Sequence, residues 1–82
     1  MYIKEIKYIE DFYGLKMQCW SGALQTLEDI EKNNKQDELM TLLEDIYYDS
    51  SFEGHEVDIT KLNDFLWFDR DYIYEQLEIE YE

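Results

Sequence analysis

The sequence predicts a compact, mostly α-helical domain, and three observations lead to that prediction. Apolar residues recur every three to four positions through much of the chain, which is the spacing of one helix face. The 82 residues include no proline and few turn signals, so we expect short helices that are tightly joined. Two tryptophans, four phenylalanines and eight tyrosines supply a core for so small a chain. The length predicts one domain over residues 1–82.

Residues 2–13 carry two competing patterns. Isoleucines recur at helical spacing from Ile3 to Ile9, yet isoleucine and tyrosine are also residues that favour strands. We expect a helix that ends at Gly14 and an extended segment over residues 15–20. A short N-terminal strand is the alternative, and it would make the fold α+β.

Two helices joined by a tight turn follow, and together they form a predicted αα-hairpin. Ser21 is a good N-cap for the first helix, and the pair Asn33 and Asn34 breaks it. We expect Asp37 to cap the second helix. The apolar side chains of this second helix recur as on one face of an amphipathic helix: Leu39, Leu42, Leu43, Ile46 and Tyr47.

Two short helices are predicted at the C-terminal end. Asp58 or Thr60 is expected to cap the first of them, and Asp69 is expected to end it and to begin the second. Trp67 and Phe68 are large apolar side chains, and we expect them in the core.

Charge is unevenly distributed along the chain. The net charge is −14, from 21 acids and seven bases. Residues 1–35 hold six acids and five bases, whereas residues 36–82 hold fifteen acids and two bases. Solubility asks for a net charge of roughly 2–8 in a small domain, and the excess costs stability through self-repulsion. The excess indicates a protein partner with a basic surface, and the alternative is that the acidity serves solubility alone.

The residues that catalysis would require are mostly missing. One cysteine, Cys19, permits no intramolecular disulfide, and it has no spacing relationship with the single histidine, His55, that indicates a nucleophilic pair. A loop beginning at Asp49 resembles the start of a calcium loop but has Thr60 where a bidentate glutamate is required. We therefore expect no enzyme activity, no cofactor and no metal.

Charge, apolar stretches and cysteine content also predict which other partners and which cellular location to expect. Phosphate repels a chain of net charge −14, so direct binding to nucleic acid is not expected. No stretch approaches the roughly eighteen apolar residues of a membrane span, and the N-terminus lacks the apolar region of a signal peptide. Disulfide-free small domains fit a reducing cytoplasm. Self-repulsion favours a monomer.

Two acidic stripes are the candidate binding surface. Asp71, Glu75, Glu78 and Glu82 recur at helical spacing, and a second stripe surrounds Glu38. If both stripes face one side, their combined line density approaches one charge per about 2.5 Å, against one per about 1.7 Å in duplex DNA. Tyrosines among the acids can anchor an interface or cover the small core. The predicted partner-binding residues are Glu38, Glu44, Asp45, Asp49, Asp64, Asp71, Glu75, Glu78, Tyr48, Tyr72 and Tyr74.

Two local segments carry a resemblance, residues 20–23 (WSGA) and residues 62–68 (LNDFLWF). With the small size, the acidity and the missing enzyme motifs, they resemble small proteins of bacteriophages and mobile elements. The resemblance is to the anti-CRISPR and antirestriction type, several families of which are DNA mimics that block Cas effectors or restriction enzymes. It implies a phage-type inhibitor of a host defence protein in the host cytoplasm, and it assigns no functional residue. The alternative is a non-enzymatic regulatory or adaptor module that binds through an aromatic rim.

Overall fold

The computed structural model of the protein describes residues 1–4, 7–9, 11–48 and 55–79. Within these residues the fold is mostly α, as the sequence predicts. Two short strands precede the helices, β1 (Tyr2–Ile3) and β2 (Lys7–Tyr8). The helices are α1 (Phe12–Gln18), α2 (Gly22–Lys32), α3 (Gln36–Ile46), α4 (Ile59–Phe68) and α5 (Arg70–Gln76).

The N-terminal segment is an antiparallel strand pair, so the prediction of a helix over residues 2–13 is wrong. The backbone amide of Ile9 donates to the carbonyl of Met1 at 2.9 Å, which joins the two ends of the pair. Ile3 also forms a parallel bridge with Val57, just before α4. The side chains of Ile3 and Ile9 are buried, and long-range backbone pairing of this segment therefore overrides the helical spacing of its isoleucines.

Helix α1 replaces the predicted extended segment. Gly14 lies inside this helix instead of ending it, and its amide donates to the capping carboxylate of Asp11 at 2.8 Å. Phe12 and Leu15 are the buried side chains of α1. The chain becomes extended only at Cys19, which leads into α2.

Helices α2 and α3 form the predicted αα-hairpin. The turn contains Asn34 with a positive φ of 57°, a left-handed conformation that asparagine tolerates. Asn33 ends α2 as predicted. The N-cap of α3 is Lys35, so the prediction that Asp37 caps it is wrong, and Asp37 lies in the first turn instead.

The C-terminal helices follow the predicted division. The Asp58 carboxylate accepts from the amide of Thr60 at 2.8 Å and so caps α4. Asp69 ends α4 and begins α5. Helix α5 ends at Gln76, and Glu78 has a positive φ of 57° beyond it.

The core lies where α2 crosses α4, with side chains of every helix and of the strand segment around it. Ala23 and Leu27 of α2 and Leu62 and Leu66 of α4 are fully buried in this core. The fully buried apolar side chains of this core are Ile3, Leu15, Ala23, Leu27, Ile30, Leu39, Leu43, Leu62, Leu66 and Ile73.

Candidate partner-binding surface

An open groove lies between α3 and the C-terminal end of α5. Asp37, Glu38 and Asp45 of α3 supply its carboxylates, and Leu42 and Leu77 supply apolar lining. Its volume is about 320 Å³. An acidic rim around an apolar lining suits a long basic side chain, whose stem is apolar and whose end is charged.

Little positive charge compensates these carboxylates. Lys35 Nζ lies 3.7 Å from Glu38 Oε2, and both side chains are partly exposed, so this ion pair contributes little. Glu44 and Asp45 form no ion pair with any residue that the structure describes. Both lie in the last turn of α3, where the helix dipole is negative and disfavours further negative charge.

Arg70 is one of the two bases in the acidic half of the chain, and it is used inside the fold. Its Nη2 donates to the carbonyl oxygen of Gly22 at 3.1 Å, and its Nε donates to the hydroxyl of Thr26 at 2.9 Å. Both acceptors belong to α2. The guanidinium therefore fastens α5 to α2 instead of neutralising a surface carboxylate.

The predicted acidic residues are exposed wherever the structure describes them. Glu38 and Asp45 come together in the groove. The predicted C-terminal stripe is interrupted, because α5 ends at Gln76 and Glu78 follows in a left-handed conformation. Asp49 and Glu82 lie outside the described residues. The remaining exposed members are Glu44 on α3, Asp64 on α4, and Asp71 and Glu75 on α5.

The predicted tyrosines divide into exposed and buried members. Tyr48 and Tyr72 are 65% and 46% exposed. Tyr74 is 1% exposed, and its hydroxyl donates to Asp29 Oδ2 at 2.8 Å, so its assignment to the surface is wrong. Burial and this hydrogen bond raise the pKa of Tyr74. Its hydroxyl can be buried because α2 supplies the acceptor.

An aromatic stack on α4 is the surface feature that the sequence did not predict. Trp67 and Phe68 were expected in the core, yet they are 38% and 70% exposed, and their rings stack at 4.9 Å between centroids. Hydrophobicity alone cannot distinguish a core aromatic from an exposed one. We call this pair the aromatic stack.

Close packing of α2 on α4 positions the aromatic stack. A Cβ atom on Gly22 would overlap the Trp67 indole, so any larger residue there requires the ring or the helices to shift. Ser21, which precedes it, has φ 55° and ψ −132°, a conformation that favours glycine, and its side chain forms no capping bond. One turn before Trp67, buried Asn63 accepts from the backbone amide of Trp20 at 2.9 Å, and its Nδ2 has no acceptor among the described residues.

The described residues offer little for chemistry. Burial raises the pKa of Cys19 to about 12, so its thiol is protonated at neutral pH, which is the unreactive form. His55 is exposed. Across the described ranges no three histidine, cysteine, aspartate or glutamate side chains are grouped so as to hold a metal ion. In the same part of the chain no helix has the length and apolar character needed to cross a membrane.

Comparison of the chain with protein-family models, curated proteins and solved structures gives no match. Inferences about function therefore depend on the chemistry of the acidic groove and of the aromatic stack.

Proposed function

We propose that the protein is a non-catalytic inhibitor that inserts its α3–α5 acidic surface into a basic, nucleic-acid-binding groove of another protein. The inhibition is steric and electrostatic, because the carboxylates occupy the positions that phosphates take in the natural complex. It acts as a monomer in the cytoplasm. The acidic surface consists of the groove residues Asp37, Glu38 and Asp45 together with Glu44 and Glu75.

The observation that carries this proposal is the placement of carboxylates where they lower stability. Glu44 and Asp45 lie at the negative end of the α3 dipole, and Glu75 lies in the last turn of α5, which also lacks a base. Arg70, the base nearest in sequence to Glu75, bonds to neutral oxygens of α2. Surfaces that act against stability are typical of binding sites, where function requires the destabilising groups.

The average charge density of α3 supports phosphate mimicry; its carboxylates fall in two pairs, Asp37 with Glu38 and Glu44 with Asp45. Its eleven residues make a helix about 16 Å long. Four carboxylates lie on it, which is about one charge per 4 Å of axis. One strand of duplex DNA carries a charge every 3.4 Å or so. A basic groove built for a phosphate backbone would therefore meet a similar charge density.

The class of target follows from the resemblance to phage inhibitors in size and acidity. The target that we propose is a defence protein that holds nucleic acid in a basic channel, such as a Cas effector or a restriction enzyme. Phage origin and the identity of the target rest on that resemblance alone.

A charge-matched pair of variants tests the proposal. Glu38→Lys with Asp45→Lys changes the groove, whereas Glu28→Lys with Glu56→Lys makes the same four-unit change at exposed positions elsewhere. Tagged protein captures targets from host lysate, and each captured target is then assayed with its own nucleic acid. We expect the groove variant to inhibit about tenfold less than wild type and the control to change little.

Competition and salt dependence complete the test. Excess duplex DNA and raised salt should both release the target from wild-type protein. If the two double variants lose inhibition equally, net charge and not the groove is responsible, and the proposal is wrong. If neither duplex DNA nor raised salt releases the captured partner, the acidic surface serves solubility.

The exposed aromatic stack favours a second candidate, a regulatory or adaptor module that binds through aromatic side chains. Tryptophan and tyrosine are enriched among residues that dominate interface energies. Binding of this kind would be nearly independent of salt, which separates it from the first candidate.

A further inference from the structure

The aromatic stack lies on a helix face that also carries charge. Asp64, Trp67 and Phe68 are at positions i, i+3 and i+4 of α4, and all three are exposed. Residues at this spacing are neighbours on a helix surface, about 5–6 Å apart. Lys61, one turn earlier, is exposed and forms no ion pair with Asp64 among the described residues. The carboxylate is therefore available beside the rings.

Several structural features hold these rings at the surface. Gly22 leaves space for the Trp67 indole, and Ser21 adopts a backbone conformation that is unfavourable for a residue with a side chain. The ring of Phe68 stacks on Trp67 with an interplanar angle of 10° and remains mostly exposed. The result is an exposed Phe68 ring that stacks on an indole, and that indole packs against α2.

Charge complementarity restricts what can cover this surface. A second copy of the chain would bring another net charge of −14 against the first. An anionic membrane surface and a nucleic-acid backbone are repelled for the same reason. A cation is attracted both by the negative faces of aromatic rings and by the adjacent carboxylate. Arginine suits the site better than lysine, because its planar guanidinium is weakly hydrated and stacks on aromatic rings.

We infer that the aromatic stack with Asp64 binds an arginine side chain of the partner protein, as a contact additional to the acidic groove. The guanidinium lies on the outer face of the Phe68 ring, since the other face is covered by Trp67, and it donates hydrogen bonds to the Asp64 carboxylate. This inference rests on the proposed function, since the arginine belongs to the same basic partner. The inference adds one requirement to the proposed function: the partner must carry an arginine outside the surface that contacts α3.

Two peptides of equal charge test the inference, octaarginine and octalysine, with affinities measured by isothermal titration calorimetry at fixed salt. Wild type should bind octaarginine more tightly than octalysine. Phe68→Ser should lower this arginine preference roughly two- to fivefold, the range for an exposed cation–π contact. Phe68→Leu should lower it as well, because leucine keeps an apolar surface without the ring. Phe68 is mostly exposed, so both variants should keep their helical circular dichroism.

Two control variants separate this inference from the proposed function. Tyr13→Ser removes an exposed aromatic ring from α1 and should leave the preference unchanged. The double variant Glu38→Lys, Asp45→Lys should bind both peptides more weakly and keep most of the preference for octaarginine. If Phe68→Ser or Phe68→Leu leaves the preference as it is in wild type, the inference is wrong and the proposed function stands. If wild type binds neither peptide, both are wrong.

Discussion

The Nε of Arg70 donates to the hydroxyl of Thr26 at 2.9 Å, although fifteen carboxylates are present in the same half of the chain. Thr26 is fully buried on α2, and its hydroxyl in turn donates to the carbonyl of Gly22 at 3.3 Å. The guanidinium donates to that same carbonyl at 3.1 Å. Three polar groups thus satisfy one another where α5 meets the N-terminal turn of α2, and Arg70 forms no ion pair with a carboxylate of the described residues.

Replacing Arg70 with methionine should lower the free energy of unfolding by about 1–3 kcal/mol, because Thr26 loses a hydrogen bond in a buried position. Urea denaturation followed by circular dichroism measures this change. Lys61→Met removes the same charge at an exposed position and should change stability by less than about 0.5 kcal/mol. Equal effects of the two variants would show that the charge matters and the hydrogen bonds do not.

Gly22→Ala should be destabilising by about 1–3 kcal/mol, because the added methyl group overlaps the Trp67 indole. Thermal unfolding by calorimetry provides the measurement. Gly14→Ala is the matched control inside α1, where the nearest atom to the new Cβ is Asp11 Oδ1 at 3.2 Å. Helix propensity offsets that tight contact, so the control should change little. A Gly22→Ala protein as stable as wild type would contradict the close approach of α2 to α4.

Ser21→Gly should raise stability by roughly 1 kcal/mol, since glycine adopts φ 55° without the steric cost that serine bears. The serine side chain forms no capping bond that would be lost. Ser21→Ala keeps the Cβ atom and should give no such gain. The urea denaturation midpoints of wild type, Ser21→Gly and Ser21→Ala measure these changes in stability. A Ser21→Gly variant less stable than wild type would show that the serine hydroxyl contributes to stability.

Alkaline pH should destabilise the protein through Cys19. Its folded pKa of about 12 lies above the ordinary value of 9.0. The unfolded thiol therefore loses its proton first, so stability is full below pH 9 and falls as pH rises toward 12. The slope approaches 1.4 kcal/mol or so per pH unit. Tyr47 and Tyr74, whose pKa values are also raised by burial, add to the loss above pH 10.

Cys19→Ala isolates that contribution. Between pH 9 and pH 10 the stability of the variant should fall less steeply than that of wild type, as measured by urea denaturation at each pH. Parallel curves for the two proteins would contradict burial of the thiol.

Opposite charge effects are expected at the two ends of α3. Asp45→Lys should stabilise the protein by about 0.3–1 kcal/mol, because a cation suits the C-terminal end of a helix. Asp37→Lys makes the same charge change in the first turn and should be destabilising by a similar amount. Both variants should weaken binding to a basic partner. A stabilised Asp45→Lys protein that still inhibits at full strength would contradict the role of the groove.

Local patterns predicted the helices after residue 20 correctly. The apolar spacing from Leu39 to Leu43 identifies α3, and Asp58 and Asp69 mark the boundaries of α4. Each of these signals depends on residues within one turn of helix, so it can be recognised from the sequence alone. The N-terminal strands are different, because Ile3 is buried by pairing with Val57, more than fifty residues away. No local pattern contains that contact.

The candidate surface was predicted in part. The exposed acids of α3 follow from its periodicity, but the groove also requires Leu77, which α5 brings to α3 through tertiary packing. The sequence predicts an exposed Tyr74 because nothing near it in the chain indicates a partner for its hydroxyl. The acceptor, Asp29, lies 45 positions away. The aromatic stack was missed because the space for Trp67 is created by Gly22 on another helix.

The crossing of α2 and α4 also determines what fluorescence can report. Both tryptophans of the chain lie there: the backbone amide of Trp20 donates a hydrogen bond to Asn63 Oδ1, and Trp67 packs against Gly22. Tryptophan emission, excited at wavelengths that tyrosine does not absorb, therefore comes from a single junction of the molecule. A partner that shifts this emission has covered an indole or has moved the helices at the crossing. A partner that binds without altering the spectrum has left both indoles in their original surroundings. The unmodified protein thus carries its own optical probe for the aromatic stack.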